Sequence, residues 1–277
     1  MSATVLPDGH EVGSERFSRL TWQDIEYMYA GMKAAGHSAA WVRRCATVLS
    51  VSLDLARKRG VIDGNPAKDA TRPRTTRTKP FAPSADEVRA VLHGAQKSDV
   101  EVADAATILA STGMRKGELL GLRWSEFDSR ADEVHVGAAI SDGGKGVGVV
   151  RKATKRSDWR DVPLTSGAKE ALLRQRERRR ELCSAEPGLH EYIFAGGYDG
   201  SLPMRPDALS NRWAAARGDS PITMLHLRHF AATAMLDAGE SYRTVADILG
   251  NSEATLRLHY DGRTDVGKRK AISALEM

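Results

Sequence analysis

The chain has 277 residues, a net charge of +5, 41% hydrophobic and 28% charged residues. That length suits one large domain or two moderate ones, and the balance is that of a globular protein, which excludes a disordered or fibrous chain. No apolar run approaches a membrane span, and the first 17 residues lack a basic stretch followed by an apolar one, so no secretory signal is read and a cytoplasmic protein is expected.

Along the chain, Thr21 with Asp24 three residues on predicts a capped helix start, and 38–58 predicts a second helix with Trp41, Cys45, Val48 and Leu55 at helical spacing, ended by Gly60. Residues 71–80, TRPRTTRTKP, then place Arg72, Arg74, Arg77 and Lys79 where Pro73 and Pro80 oppose helix. The expected division is a small helical domain over 1–75, a basic linker over 76–83, and a second domain over 84–277 that opens on a Ser84/Glu87 capping box. The four cations are expected to meet the phosphates of nucleic acid, and the positive net charge agrees with a polyanion partner.

Helices are predicted at 84–95, 100–111 and 115–122, followed by strands at 132–140, 147–154 and 159–164, the first two joined by the turn SDGGKG. That glycine-rich turn lacks the order of a phosphate-binding P-loop. Helical periodicity resumes at 166–183, 205–217, 226–238, 241–249 and 252–261, with a last segment in GKRKAISALE. The second domain is therefore expected to be mainly α around a small antiparallel sheet, an α+β arrangement. Cys45 and Cys183 show neither CxxC nor histidine-rich spacing, so they are expected as reduced packing residues, with no disulfide framework and no structural zinc.

Four segments carry candidate chemistry. STGMRKGELLGLRW places Arg115, whose planar fork can donate two hydrogen bonds to phosphate, three residues before Glu118. VVRKATKRSDWRDVPLT holds Lys155 eight residues before Pro163, with Lys152 as the alternative. TMLHLRHF presents His226, Arg228 and His229, and LGNSEATLRLHY ends on Tyr260, nine residues after Asn251.

Together these segments resemble the catalytic domain of the tyrosine recombinases, or phage integrases, over about 84–262. The resemblance implies Arg115 and Arg228 as the catalytic arginines, Glu118 as a supporting carboxylate, Lys155 or Lys152 as general acid, and Tyr260 as nucleophile. Two departures stand out. Family members place a histidine three residues before the second arginine, where this chain has Leu225 with His226 next to it, so His226 is taken as catalytic and His229 as supporting. Asn251 stands where histidine or tryptophan is usual, and its amide can still donate to a phosphate oxygen.

The residues before 71 are similar to the end of the family's helical core-binding domain. Implied by the same resemblance are a double-stranded DNA partner, a 3′-phosphotyrosyl intermediate, a homo-tetramer on DNA and an accessory directionality factor. No carboxylate cluster has metal-ligand spacing, so no metal and no cofactor are expected. Integration of a phage or mobile element is the expected activity. The alternatives are a chromosome or plasmid resolving recombinase, a relaxing type IB topoisomerase, and a non-catalytic DNA-binding descendant.

Overall fold

The computed structural model describes residues 19–74, 81–143, 148–153 and 159–260, except the His259 side chain. Two compact units divide the chain between Thr78 and Lys79. In the first, Thr21 and Asp24 close a reciprocal capping box, with the Thr21 N–H donating to Asp24 Oδ2 at 2.9 Å, and this starts α1 (Trp22–Ala34). Ser38 caps α2 (Ala39–Lys58), and Asn65 caps the short α3 (Pro66–Asp69).

The apolar spacing on α2 picks out the wrong face. Trp41, Val48 and Leu55 are 43%, 61% and 49% exposed, and Cys45 is only half-buried. The buried stripe runs about one residue over, through Val42, Ala46, Ser50 and Leu53, against Ile25 and Tyr29 of α1. Two of its members are small because the stripe must also take a polar partner: Asn65 Nδ2 donates to the Ser50 carbonyl at 2.9 Å while its Oδ1 accepts the Ala67 N–H. An apolar count cannot see a stripe built on Ala46 and Ser50.

The second unit is built around α5 (Val100–Thr112), whose residues are buried on almost every side. It packs against α4 (Ala85–Ser98), α7 (Ser166–Cys183), α8 (Pro206–Ala216) and α9 (Met224–Asp237). A helix apolar all round has no other stable place. Its one fully buried charge, Asp104, is clamped by Arg174 at 2.7 Å and Arg178 at 2.6 Å from α7. The last turn of α7 leaves Cys183 exposed, donating its thiol to the Tyr198 carbonyl, so this cysteine is not a packing residue.

The expected α+β arrangement is present, with its antiparallel strands divided among the described residues into a three-stranded and a two-stranded sheet. The strand read over 132–140 breaks at Gly137 into β2 (Glu133–Val136) and β3 (Ala138–Asp142). β2 lies between β1 (Phe127–Asp128) and β5 (Arg160–Pro163), whereas β3 pairs with β4 (Val149–Ala153). A Cβ on Gly137 would lie 3.0 Å from ring atoms of Trp159, so the break occurs where an indole lies against bare backbone. The site is carried by α6 (Lys116–Gly121), which precedes β1, and by α9, α10 (Tyr242–Leu249) and α11 (Glu253–Tyr260). The tip of the SDGGKG turn and the segment GKRKAISALE lie outside the described residues.

Candidate active site

Two glycine turns set the geometry. Gly113 ends α5 and Gly250 ends α10, each in the left-handed region, with φ of 65° and 63°. A Cβ on Gly113 would collide with the Leu249 side chain, and one on Gly250 would come within 2.6 Å of Arg160 Nη1. Both positions therefore need glycine for space as well as for conformation.

Arg228, on α9, ties the two turns together. Its Nη1 donates to the Gly113 carbonyl at 2.6 Å and its Nη2 to the Leu249 carbonyl at 2.9 Å, with only 7% of the residue exposed. Burial, and then the nearby Arg115 charge, push its guanidinium down to about 10, a sign that the site concentrates positive charge with too little negative charge to match it.

Arg115 is the N-cap residue of α6. Its backbone N–H and its Nη1 donate to the two oxygens of Glu118 at 2.9 and 2.8 Å, a capping box that also aims the fork. The other arm of the fork, Nη2, reaches the Gly250 carbonyl at 3.2 Å and Asn251 Oδ1 at 2.6 Å. Because the Asn251 oxygen is thus engaged, its NH2 is the end left to donate to an anion.

Glu118 is 1% exposed. Burial by itself would raise its carboxyl, but the hydrogen bond and charge of Arg160, with those of Arg115, outweigh that and hold it below the ordinary glutamate range. Arg160 is a residue that the sequence reading did not single out. The only available signal was its place three residues before Pro163, which says nothing about a partner 42 positions away.

Tyr260 closes α11 and is 5% exposed, packed with Ala232, Val245, Ala246, Leu249 and Leu256. Its hydroxyl is hydrogen-bonded to His229 Nδ1. His226 is used differently: its Nδ1 accepts the Thr223 N–H at 3.2 Å in the capping box that starts α9, and its ring meets Phe81 edge-on at 5.1 Å. The structure therefore brings His229, rather than His226, to the tyrosine, with the two rings 6.5 Å apart. Leu225, where the resemblance calls for histidine, is 61% exposed.

Of the two candidate lysines, Lys152 is exposed on β4 opposite Ala139, and Lys155 lies outside the described residues. In the first unit Arg72 and Arg74 are exposed, with Arg72 Nη2 donating to Ser50 Oγ at 3.3 Å. Arg77 and Lys79 also fall outside the described residues. Among the described residues one trio of possible metal ligands clusters, Glu133, His135 and Asp161, away from the arginines on the partly exposed face of β2 and β5. Within it, His135 pairs with Asp161, and that hydrogen bond raises the imidazole above its ordinary range.

The arrangement gathers two arginines, a histidine and an amide around a tyrosine hydroxyl, a set suited to nucleophilic attack on a phosphodiester. Residues 84–261 match the Phage integrase family. The tyrosine recombinase XerC of Corynebacterium efficiens is 30% identical over 242 residues, covering 85% of this chain and 70% of that protein. XerC of Mycobacterium tuberculosis is 28% identical over 249 residues, 87% of this chain and 78% of its own. In fold, the chain is similar to the Tn1549 transposon integrase solved with circular intermediate DNA, with a TM-score of 0.72 at 19% identity over 93% of this chain and 86% of that one. A lambda integrase dimer bound to a core site gives 0.60 at 19%, over 91% and 83%. These findings define the class as tyrosine-type site-specific DNA recombinases, enzymes that break and rejoin DNA strands. The chain belongs to the phage integrase family. Among the described residues no helix is long and apolar enough to cross a membrane.

Proposed function

We propose that this recombinase integrates a phage or other mobile element through a 3′-phosphotyrosyl intermediate on Tyr260. The observation that carries this reading is the Tyr260 hydroxyl on His229, one residue from the buried Arg228 that joins the Gly113 and Gly250 turns. The phenol oxygen attacks the scissile phosphorus, its proton passing to His229 Nδ1, and the bond from phosphorus to the 5′ oxygen breaks. Remaining N–H groups of Arg115 and Arg228 and the Asn251 amide stabilise the charge that builds on the non-bridging oxygens. Each bond broken is replaced by one of similar energy, so a new 5′ hydroxyl can reverse the step and join a different strand.

The departing 5′ oxygen needs a proton, which we assign to Lys155 with Lys152 as the alternative. Lys155→Ala is expected to lose most cleavage, and a substrate with a 5′-bridging sulfur, whose leaving group needs little protonation, is expected to restore it. The same rescue in Lys152→Ala, with Lys155→Ala reacting as wild type, reverses the assignment.

Exchange between two duplexes cuts four strands, and one Tyr260 per protomer makes a homo-tetramer the assembly this chemistry needs. Its partner is double-stranded DNA, held also by the core-binding unit over 1–75 and by Arg72, Arg74, Arg77 and Lys79. An accessory directionality factor and a cytoplasmic setting belong to the same reading. Resolution of joined chromosomes or plasmids is the second reading, kept in view because the relatives of highest identity quoted above are named XerC rather than integrase. A circular molecule bearing the element's site, incubated with a separate linear target, is expected to yield joined products with one shared core sequence. Resolution of direct repeats on one molecule, without joining between molecules, favours the second reading.

A further inference from the structure

Arg160 begins β5, where its backbone pairs with Val136, and its side chain is 13% exposed. Two hydrogen bonds and one close approach leave from one guanidinium. Nη2 donates to Glu118 Oε2 at 2.6 Å, Nε donates to the Ile248 carbonyl at 2.9 Å, and Nη1 lies 2.6 Å from where a Cβ on Gly250 would be. Glu118 in turn holds both the backbone and the fork of Arg115, and the turn at Gly250 leads directly to Asn251. A single planar group thus spans the strand, the carboxylate that aims one arginine, and the turn that presents the amide.

We propose that Arg160 is a positioning residue for strand cleavage, fixing Arg115 through Glu118 and Asn251 through the Gly250 turn. This rests on the Tyr260 mechanism above. A carboxylate shared by two arginines is not by itself evidence of a role in the reaction. Asp104, held by Arg174 and Arg178, has the same form, yet neither arginine touches a residue of the site. The Asp104 cluster is therefore the internal control: both clusters should matter for folding, but only the Arg160 cluster should set the rate of chemistry. Loss of Arg160 leaves the buried Glu118 with Arg115 as its remaining ion-pair partner among the described residues, and a carboxylate so placed redirects that partner or takes up a proton.

The test uses the full chain on a suicide substrate containing its core site, at saturating protein, with adduct formation timed in a single turnover and DNA affinity measured separately. Arg160→Gln is expected to slow adduct formation about 100-fold, the scale of a misplaced catalytic group, with the dissociation constant moved less than about 3-fold. Glu118→Gln should slow it by its own loss of the Arg115 aim, and the double variant should be slower than either single one by clearly less than the product of the two losses, because the Arg160–Glu118 contact is common to both while Arg160 also acts through the Gly250 turn. Arg178→Gln is expected to lower the unfolding temperature while keeping the wild-type rate. If Arg160→Gln does not bind DNA, Arg160→Lys decides, since it keeps a charge beside Glu118 but gives up the second donor, and it is expected to react about 10-fold more slowly. Wild-type rates in a DNA-binding Arg160 variant overturn the inference, as do losses that multiply in the double variant. No adduct from the wild type defeats the Tyr260 reading itself, whereas an adduct from the wild type with an equally fast Arg160→Gln defeats this inference alone.

Discussion

Arg228→Gln is expected to reduce covalent adduct formation by about 10³-fold and to weaken the fold as well. The catalytic loss is of the size seen when a preorganised donor is taken from an anionic transition state, with a charge removed besides. The structural loss comes from the Gly113 and Leu249 carbonyls, which give up donors at 2.6 and 2.9 Å in a place that water reaches poorly. Each buried acceptor left unpaired costs about 1–3 kcal/mol. Arg228→Lys should not rescue either effect, because one ammonium group on a flexible stem cannot span both turns.

The charge on Arg228 also has a direction. Its guanidinium is pushed down to about 10 by burial and then by Arg115, so the folded chain holds this proton less tightly than the unfolded one. Arg228 therefore opposes folding at pH values below about 10, and the opposition fades as pH rises from there toward the ordinary arginine value. In the proposed mechanism a scissile phosphate brings negative charge beside Arg228, so DNA binding is expected to offset that cost. Thermal unfolding and single-turnover cleavage of Arg228→Gln check both parts. Adduct formation within 10-fold of wild type, on the same logic of one lost donor, contradicts the role given to Arg228.

How much of this was legible depends on how local each feature is. Arg115, Glu118 and Tyr260 could be singled out because the family motifs they resemble are short and local, and the structure adds that Arg115 and Glu118 form a capping box and that Tyr260 ends α11. The helix over 100–111 was legible as a helix, but its place at the centre of the second unit was not read. Other features depend on what lies opposite. The buried face of α2 uses Ala46 and Ser50 because Asn65 and α1 lie against it, and no periodicity within α2 records that. Gly137 looks like one residue of an alternating strand until Trp159 is seen over it.

The two histidines show the same limit inside the site. By sequence His226 is nearer the position that the resemblance asks for, but the third residue of a helix points back to its N-cap, and there His226 accepts from Thr223. His229, a little under one turn later, meets the tyrosine of α11. Arg160 was not legible at all, since its meaning lies in Glu118 and Ile248, reached only when β5 is laid against α6 and the end of α10.

The nucleophile itself is the claim from which the rest follows. Tyr260 is held by apolar neighbours from α9, α10 and α11, so removing only its oxygen should leave the packing and DNA binding intact. A phenol has an ordinary pKa of about 10 and attacks phosphate poorly unless its proton has an acceptor and the developing charge has cations nearby. In the proposed mechanism His229 provides the first, and Arg115 and Arg228 the second. The measurement is covalent capture: a nicked substrate containing the cognate site, incubated in EDTA and run on a denaturing gel, with Tyr198→Phe, 80% exposed, as the control tyrosine. Wild type and Tyr198→Phe are expected to give a protein–DNA adduct whose phosphopeptide contains Tyr260, while Tyr260→Phe binds the same DNA and gives none. An adduct that survives in Tyr260→Phe, or wild-type protein that binds its site and never becomes linked to it, contradicts the account.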